Sequence, residues 1–292
     1  MPGWRWSECW KCAEMRVDHW LKKEFVERAL AEDLGRGDLF AAIAPRGSVR
    51  AQILAKSEGV FAGREYIEVL EDLFEIRLKW SIEDGETYAP GDRLLEIEAE
   101  ARDLLSLERT LLDLALHASG IATLTAQYVR KLEGYDCVLL DTRKTRPGLR
   151  AFEKYAVRCG GGRNHRMGLD DCLMLKDTHL KTIEDLNAFM QSVRAQIPFT
   201  AKIEVECEDF ETVQRAMKAG ADIVMCDNMP PELIQKVVAY RNENYPHILL
   251  EASGNITLET IERIAATGVD AVSSGSIIHQ AVWPDLSMRI GG

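Results

Sequence analysis

Apolar residues recur at helical spacing along "HWLKKEFVERALAEDL", residues 19–34, and stop at Gly35. That pattern predicts an amphipathic helix closed by a glycine. "SVRAQILAKSEGV" (48–60) alternates as a half-buried strand does, and "REYIEVLEDLF" (64–74) returns to helical spacing. "EIRLKWSIEDGETY" (75–88) reads as a strand with a turn at Asp84-Gly85, and "DRLLEIEAE" (92–100) as another strand. Two helical stretches follow, "RDLLSLERTLLDLALHASG" (102–120) and "IATLTAQYVRKLEG" (121–134).

The rhythm then changes. Six short apolar runs, "CVLLD" (137–141), "CLMLKD" (172–177), "AKIEVE" (201–206), "DIVMCDN" (222–228), "ILLEASG" (248–254) and "DAVSSG" (270–275), alternate with amphipathic segments such as "FETVQRAMKAG" and "LETIERIAATG". Near-continuous apolar strands separated by helices mean a parallel sheet covered on both faces. The fold class is therefore α/β, with an N-terminal mixed domain over residues 15–125 and a (β/α) barrel, incomplete in strand number, over 126–292. The C-terminal tail is a candidate to return to the first domain. A doubly wound open sheet is the alternative, but no G-x-G-x-x-G follows the first strand, which disfavours a dinucleotide-binding version.

Composition narrows the class. The 292 residues are 46% hydrophobic and 28% charged, with a net charge of −11, ordinary for a globular protein. No apolar run has the length of a membrane span. Seven cysteines without framework spacing suggest a reduced, cytoplasmic protein. Cys9 and Cys12 of "CWKC" lack a second ligand pair for zinc. With three of the six tryptophans in the first ten residues, residues 1–14 are expected to form a disordered extension.

Against this acidic balance, residues 143–166 hold eight Lys or Arg and a single acid, Glu153. A solvated basic face is the ordinary meaning of such a run. Here glycines ("RCGGGRNHRMG") and apolar strands frame it, which suits an anion pocket. The overall charge argues against nucleic-acid binding, so a small, highly anionic substrate is expected.

Barrel active sites lie at the C-terminal ends of the strands. Those ends bring cations, Arg143, Lys144, His165, Arg166 and Lys176, with Thr142 beside them. Arginine grips carboxylates with its planar fork, and lysine adds point charge. Glu206 and Asp227 end neighbouring strands and can take a divalent metal or sugar hydroxyls. The turns Ser253-Gly254-Asn255 and Ser274-Gly275-Ser276 precede helix-like segments whose N–H groups suit phosphate. The implied ligands carry carboxylates, a polyol, a phosphate and a metal-bound pyrophosphate.

"LLDTRKTRPGLRAFEKYAVRCGGGRNHRMGLDDCLMLKDTH" closely resembles the quinolinate phosphoribosyltransferase family. So do "IEVECEDFETVQRAMKAGADIVMCDN", "LEASGNIT", "EDLGRGD", "ERTLLDLALHASGIATLTA" and "TGVDAVSSGSIIHQ". The resemblance runs from about Phe25 to Met288. It implies an α/β sandwich domain before the incomplete barrel, and a homodimer or a hexamer built as a trimer of dimers. It implies a pentosyltransferase of NAD biosynthesis that converts quinolinate and phosphoribosyl pyrophosphate to nicotinate mononucleotide, pyrophosphate and carbon dioxide, with Mg2+. By matching motifs, Arg143, Lys144, His165, Arg166 and Lys176 would hold the quinolinate carboxylates. Arg109 of "LERT" would reach the neighbouring subunit's site. Glu206 and Asp227 would meet ribose and metal, and Ser253, Gly254, Asn255, Ser274, Gly275 and Ser276 would cradle the 5′-phosphate. Lys144, Lys176, Glu206 and Asp227 would be the catalytic set.

The chain departs from the family pattern at Asp113, often Asn there, at "GDLFA", and at Ser274-Gly275-Ser276, usually Val-Gly-Ala. Three other readings compete. Lys176 could be the Schiff-base lysine of an aldolase, the substrate could be nicotinate itself, or the fold could bind without catalysis. The crowd of cations favours a dicarboxylate over the first two, and the intact acid pair argues against the third. His117 could reach the site from the subunit boundary. His179 and His279 read as ordinary surface histidines.

Overall fold

A computed structural model describes residues 19–44 and 46–291; the expected extension over 1–14, with Cys9 and Cys12, lies outside the described residues. Helix α1 (His19–Leu34) buries Val26 and Leu30, four residues apart. It ends where Gly35 turns to φ 52° and its N–H returns to the Ala31 carbonyl at 3.1 Å, a backbone conformation that glycine takes at little cost.

Strand β1 (Ser48–Ala55) pairs antiparallel with β5 (Arg93–Glu100), and β3 (Arg77–Trp80) flanks β5 on its other side. β2 (Gly59–Val60) and β4 (Thr87–Tyr88) form a separate small pair. The helix expected over 64–74 is two single turns, α2 (Arg64–Ile67) and α3 (Leu70–Leu73); Glu68 and Val69 between them keep helical dihedrals. The final element, β12 (Leu286–Ile290), pairs with β1, Ala51 opposing Ile290 and Ala55 opposing Leu286. The end of the chain thus completes a four-stranded antiparallel sheet begun near its start.

The two helices expected over 102–134 are one, α4 (Ala101–Lys131), 31 residues long. Gly120, at the junction of the two expected stretches, lies inside the helix, where a Cβ would come within 2.7 Å of the Val282 carbonyl oxygen. The glycine permits a close backbone approach rather than ending a helix.

All six apolar runs become strands of one parallel sheet: β6 (Val138–Leu140), β7 (Leu173–Leu175), β8 (Ile203–Cys207), β9 (Ile223–Asp227), β10 (Leu249–Ser253) and β11 (Ala271–Ser273). Their spatial order is β6-β11-β10-β9-β8-β7. The first strand therefore lies beside the last, and the gap falls between the first and the second. A doubly wound sheet reverses direction around an early central strand; this one advances strand by strand, as a barrel does, without closing. Helices α5 (Arg150–Cys159), α6 (Asp177–Leu180), α7 (Leu186–Arg194), α8 (Phe210–Lys218), α9 (Pro231–Asn244), α10 (Ile261–Ala265) and α11 (Ser276–His279) connect the strands or follow the last.

An aromatic cluster joins the two sheets' layers. Phe25 of α1 packs on Tyr66 at 5.4 Å and on Phe152 of α5 at 5.1 Å between ring centroids. Tyr155 of α5 donates its hydroxyl to Asp84 in the expected turn and accepts the Gly63 N–H at 3.1 Å. These contacts fix α5, and α5 in turn braces the basic run.

Candidate active site

Side chains two apart on a strand share a face. That rule alone puts Met174 with Lys176, Glu204 with Glu206, Met225 with Asp227, and Glu251 with Ser253. The register sets Asp227 opposite Ser253 and Met225 opposite Glu251. At the C-terminal rim these residues meet the segments after β6 and α5 around a cavity of about 520 Å³. Its lining includes all five expected cations, Arg143, Lys144, His165, Arg166 and Lys176, together with Thr142, Glu206, Asp227, Ser253, Gly254 and Asn255.

The basic run divides into cations that face this cavity and cations that hold its walls. Arg146 donates to Glu153 through its backbone N–H at 2.9 Å and its guanidinium at 2.6 Å, and His117 adds a 3.0 Å contact to the same carboxylate. Burial would raise the Glu153 carboxyl, but these partners outweigh it and hold it below its usual range. Lys154, wholly buried, pairs with buried Asp141 and donates to the His165 carbonyl at 2.8 Å. Asp141 also accepts from the His165 N–H at 2.8 Å and from Asn164 at 2.6 Å. Arg150 caps the Met167 carbonyl at 3.0 Å, and Arg158 bonds Asn164 at 2.8 Å. His117 is therefore part of a buried staple and does not line the cavity.

Arg143 differs from these. Its Nε and Nη1 are shielded from solvent and have no hydrogen-bond partner. Burial, and then the charges of Arg166 and Arg150, pull its pKa down. Arg166 beside it is anchored to the Cys172 carbonyl at 2.9 Å and to Met174 Sδ at 3.4 Å. His165 turns Nε2 to two buried carboxylates, Glu204 at 3.1 Å and Glu251 at 3.2 Å. Burial by itself would lower this imidazole, but the two acids override it and push it up to about 10. Burial raises Glu204.

Two groups could hold a cation. Glu206 and Asp227 face the cavity from adjacent strands, and Asp227 is raised by burial and by the Glu206 charge. A divalent ion would relieve that repulsion, and carboxylate oxygens suit magnesium. The second group is His165 with Glu204 and Glu251, whose ligand atoms lie within 4.8 Å of one another. There His165 Nε2 faces both carboxylates while its Nδ1 accepts the Arg166 backbone N–H at 2.7 Å.

Comparison with known proteins gives the family. Residues 38–119 match the family model described as quinolinate phosphoribosyl transferase, N-terminal domain, and residues 121–289 match its C-terminal domain. The chain belongs to the quinolinate phosphoribosyltransferase family. It is 40% identical over 276 residues to a probable nicotinate-nucleotide pyrophosphorylase (carboxylating) of Methanothermobacter thermautotrophicus, covering 92% of this chain and 99% of that one. It is 37% identical to the nicotinate-nucleotide pyrophosphorylase (carboxylating) of Mycobacterium leprae, over 92% and 96% of the two chains. The solved nicotinate-nucleotide pyrophosphorylase of Francisella tularensis superimposes with a TM-score of 0.87 at 34% identity, covering 94% of this chain and 98% of that one.

Four of the residues that the family resemblance marks lie outside this cavity's lining. Arg109 is exposed on α4 and pairs with Asp113 at 3.3 Å. Along its helix Leu104, Leu107, Leu111, Leu112, Leu114 and Leu116 are buried within the one chain, and Leu105 is half-buried. The long helix is a central core element, packed on several sides. Ser274, Gly275 and Ser276 also fall outside the lining. The two hydroxyls bond each other at 2.6 Å, and each has a second partner, the Ile256 carbonyl and Tyr128. A Cβ at Gly275 would meet Lys144 of the lining, so this turn packs directly against the cavity's cations.

Asn228, Glu251 and Ser273, polar residues of the strand ends, also line the cavity, as do Met174 and Met225. Two-residue periodicity inward from Lys176 and Asp227 is the signal that points to the methionines. The two methionines give this cavity an apolar surface fit for a flat ring.

Proposed function

We propose that this cavity binds quinolinate and phosphoribosyl pyrophosphate and converts them to nicotinate mononucleotide, pyrophosphate and carbon dioxide, the quinolinate phosphoribosyltransferase reaction of NAD biosynthesis. The observation that carries this reading is Arg143. Buried guanidinium N–H groups without acceptors are costly, and the oxygens of an anionic ligand would supply the missing acceptors to Nε and Nη1. Lys144, Arg166 and Lys176 beside it match a second carboxylate on the same ring. A monocarboxylate such as nicotinate would leave part of this charge unanswered.

Glu206 and Asp227 would hold Mg2+ and the ribose hydroxyls, and the turn at 253–255 would take the 5′-phosphate. When bound, the metal ion would neutralise the departing pyrophosphate. The protein's own contribution is placement and charge. Arg143 and Arg166 orient the ring so that its nitrogen faces the sugar carbon. The acid pair favours the positive charge that develops on the ribose. Bond formation makes the ring nitrogen cationic. The bond from C2 to its carboxylate then breaks, carbon dioxide leaves, and the electron pair remaining on C2 beside that nitrogen takes a proton. No covalent bond to the enzyme is required, so Lys176 needs no Schiff base, and its ammonium is ion-paired with Glu206.

The reading includes a homodimer, which can assemble further to a hexamer, with Arg109 serving the partner's cavity, and a cytoplasmic location. Among the described residues no helix is long and apolar enough to cross a membrane. The test is a coupled assay of the purified protein with quinolinate and phosphoribosyl pyrophosphate, with and without Mg2+. Nicotinate mononucleotide should form from quinolinate and not from nicotinate. Comparable turnover of nicotinate, or none with either, overturns the reading.

A further inference from the structure

Among the described residues only two non-glycine residues have a positive φ, Asn228 at 53° and Asn255 at 54°. This backbone region is uncommon for residues bearing a side chain, though asparagine enters it most readily. Both sit directly at the cavity rim, one after β9 and one just beyond β10, on neighbouring strands. They also touch. Asn255 Nδ2 donates to Asn228 Oδ1 at 3.1 Å, while Asn228 Nδ2 donates to Asp227 Oδ2 at 2.9 Å. The Asn228 backbone N–H adds a bond to the Ser253 carbonyl at 2.9 Å. Gly254 between the turns is required by the same contact. A Cβ there would overlap Asn228 Oδ1 and come within 2.9 Å of its backbone nitrogen.

We infer that Asn228 is a positioning residue whose amide clasps Asp227 to the 253–255 turn and so sets the spacing at which the site receives the two ends of the phosphoribosyl group. The inference rests on the function proposed above, since it gives Asp227 the ribose end and the turn the 5′-phosphate end. One amide serves both. Its nitrogen fixes the rotamer of the acid, and its oxygen fixes the side chain of the turn. Strained positions persist where the surrounding structure over-determines them, and they concentrate at functional sites. The sheet already pairs Asp227 with Ser253, but without the amide their side chains would be free to turn by the small distances that matter for a positioned reaction. The clasp couples them.

A competing explanation is that asparagine is present only because it tolerates the backbone. Asn228→Gly separates the two. Glycine adopts φ 53° without strain and keeps the backbone bond to Ser253, but it loses both side-chain bonds. If the amide only served the backbone, this variant would match the wild type. The clasp predicts that KM for phosphoribosyl pyrophosphate rises by about tenfold, the scale of a lost hydrogen bond to a charged group. KM for quinolinate and the melting temperature should barely move. Asn228→Asp tolerates the same backbone but sets a carboxylate against Asp227, so it should bind phosphoribosyl pyrophosphate more weakly than the glycine variant. Calorimetric titration of phosphoribosyl pyrophosphate into each protein, wild type included, gives the same ranking without turnover. Unchanged affinity in Asn228→Gly, or an equal loss for both substrates, overturns the clasp while the assigned reaction stands. A wild type that neither binds phosphoribosyl pyrophosphate nor forms product overturns both.

Discussion

The ammonium of Lys176 lies 2.5 Å from Glu206 Oε2, bridging the ends of two adjacent strands. Lys176 thus answers the negative charge of the acid pair as well as lining the anion cavity. Glu206→Gln and Asp227→Asn should each lower turnover by about 10²–10³ while changing quinolinate affinity little. Lys176→Met should weaken quinolinate binding. Because Lys176 and Glu206 share one contact, their losses should not add, and the double variant should be about tenfold better than the product of the singles. Additive losses in kcat/KM would show that the pair does not act as a unit.

Gly275 offers a clean separation of stability from activity. Its φ is −76°, which alanine adopts without strain. A Cβ there would come within 2.8 Å of Lys144 Cδ and 3.2 Å of Thr142 Oγ1. Gly275→Ala should leave the melting temperature unchanged or raise it slightly, by restricting the unfolded chain. It should still reduce kcat/KM for quinolinate, because Lys144 must move. Full activity in this variant would mean that Lys144 does not need its present course.

His165 gives a pH dependence. Its folded-state pKa is pushed up to about 10 by Glu204 and Glu251 despite burial, above the ordinary value of 6.5. The stability it contributes is therefore fully present below about pH 6.5 and is lost as pH rises through 10. Denaturant unfolding between pH 6 and 10, a range chosen around these values, should show a decline that His165→Gln flattens. Direct NMR titration of the ring should show no deprotonation near neutral pH. A ring that titrates near 6.5 would contradict this account. Asp141 and Lys154, which bind the His165 backbone, and Arg166 next in sequence are the other charged groups beside it.

Arg109 tests the shared site. As a surface residue paired with Asp113 it would be worth about 0–1 kcal/mol of stability and no activity. In trans, Arg109→Ala and Arg166→Ala should each be nearly inactive. A mixed dimer of the two would retain one intact cavity and up to about half of the activity. No recovery in a verified heterodimer, or full activity of Arg109→Ala alone, would exclude action across the interface.

Local periodicity was enough for much of this fold. The helix at 19–34, strands β1, β3 and β5 and all six parallel strands follow from apolar spacing, because a half-buried helix or a covered strand must repeat its buried positions. The strand-end rule then brought Arg143, Lys144, His165, Arg166, Lys176, Glu206 and Asp227 to one rim, since the chemistry at a strand's end depends on a few adjacent residues.

Only the tertiary structure decided what depends on residues distant in sequence. Gly120 reads as a helix end until Val282, 162 positions later, is found against it. The same holds for β12 returning to β1, for the leucines of α4 that their own chain buries, and for the bond between the Ser274 and Ser276 hydroxyls. Above all, eight cations in one run look alike as letters. Glu153 and Asp141 draw Arg146 and Lys154 into the scaffold, while Arg143 keeps two buried donors without a partner. Burial and pairing, rather than residue type, separate the cations that hold the cavity together from those free to hold a ligand.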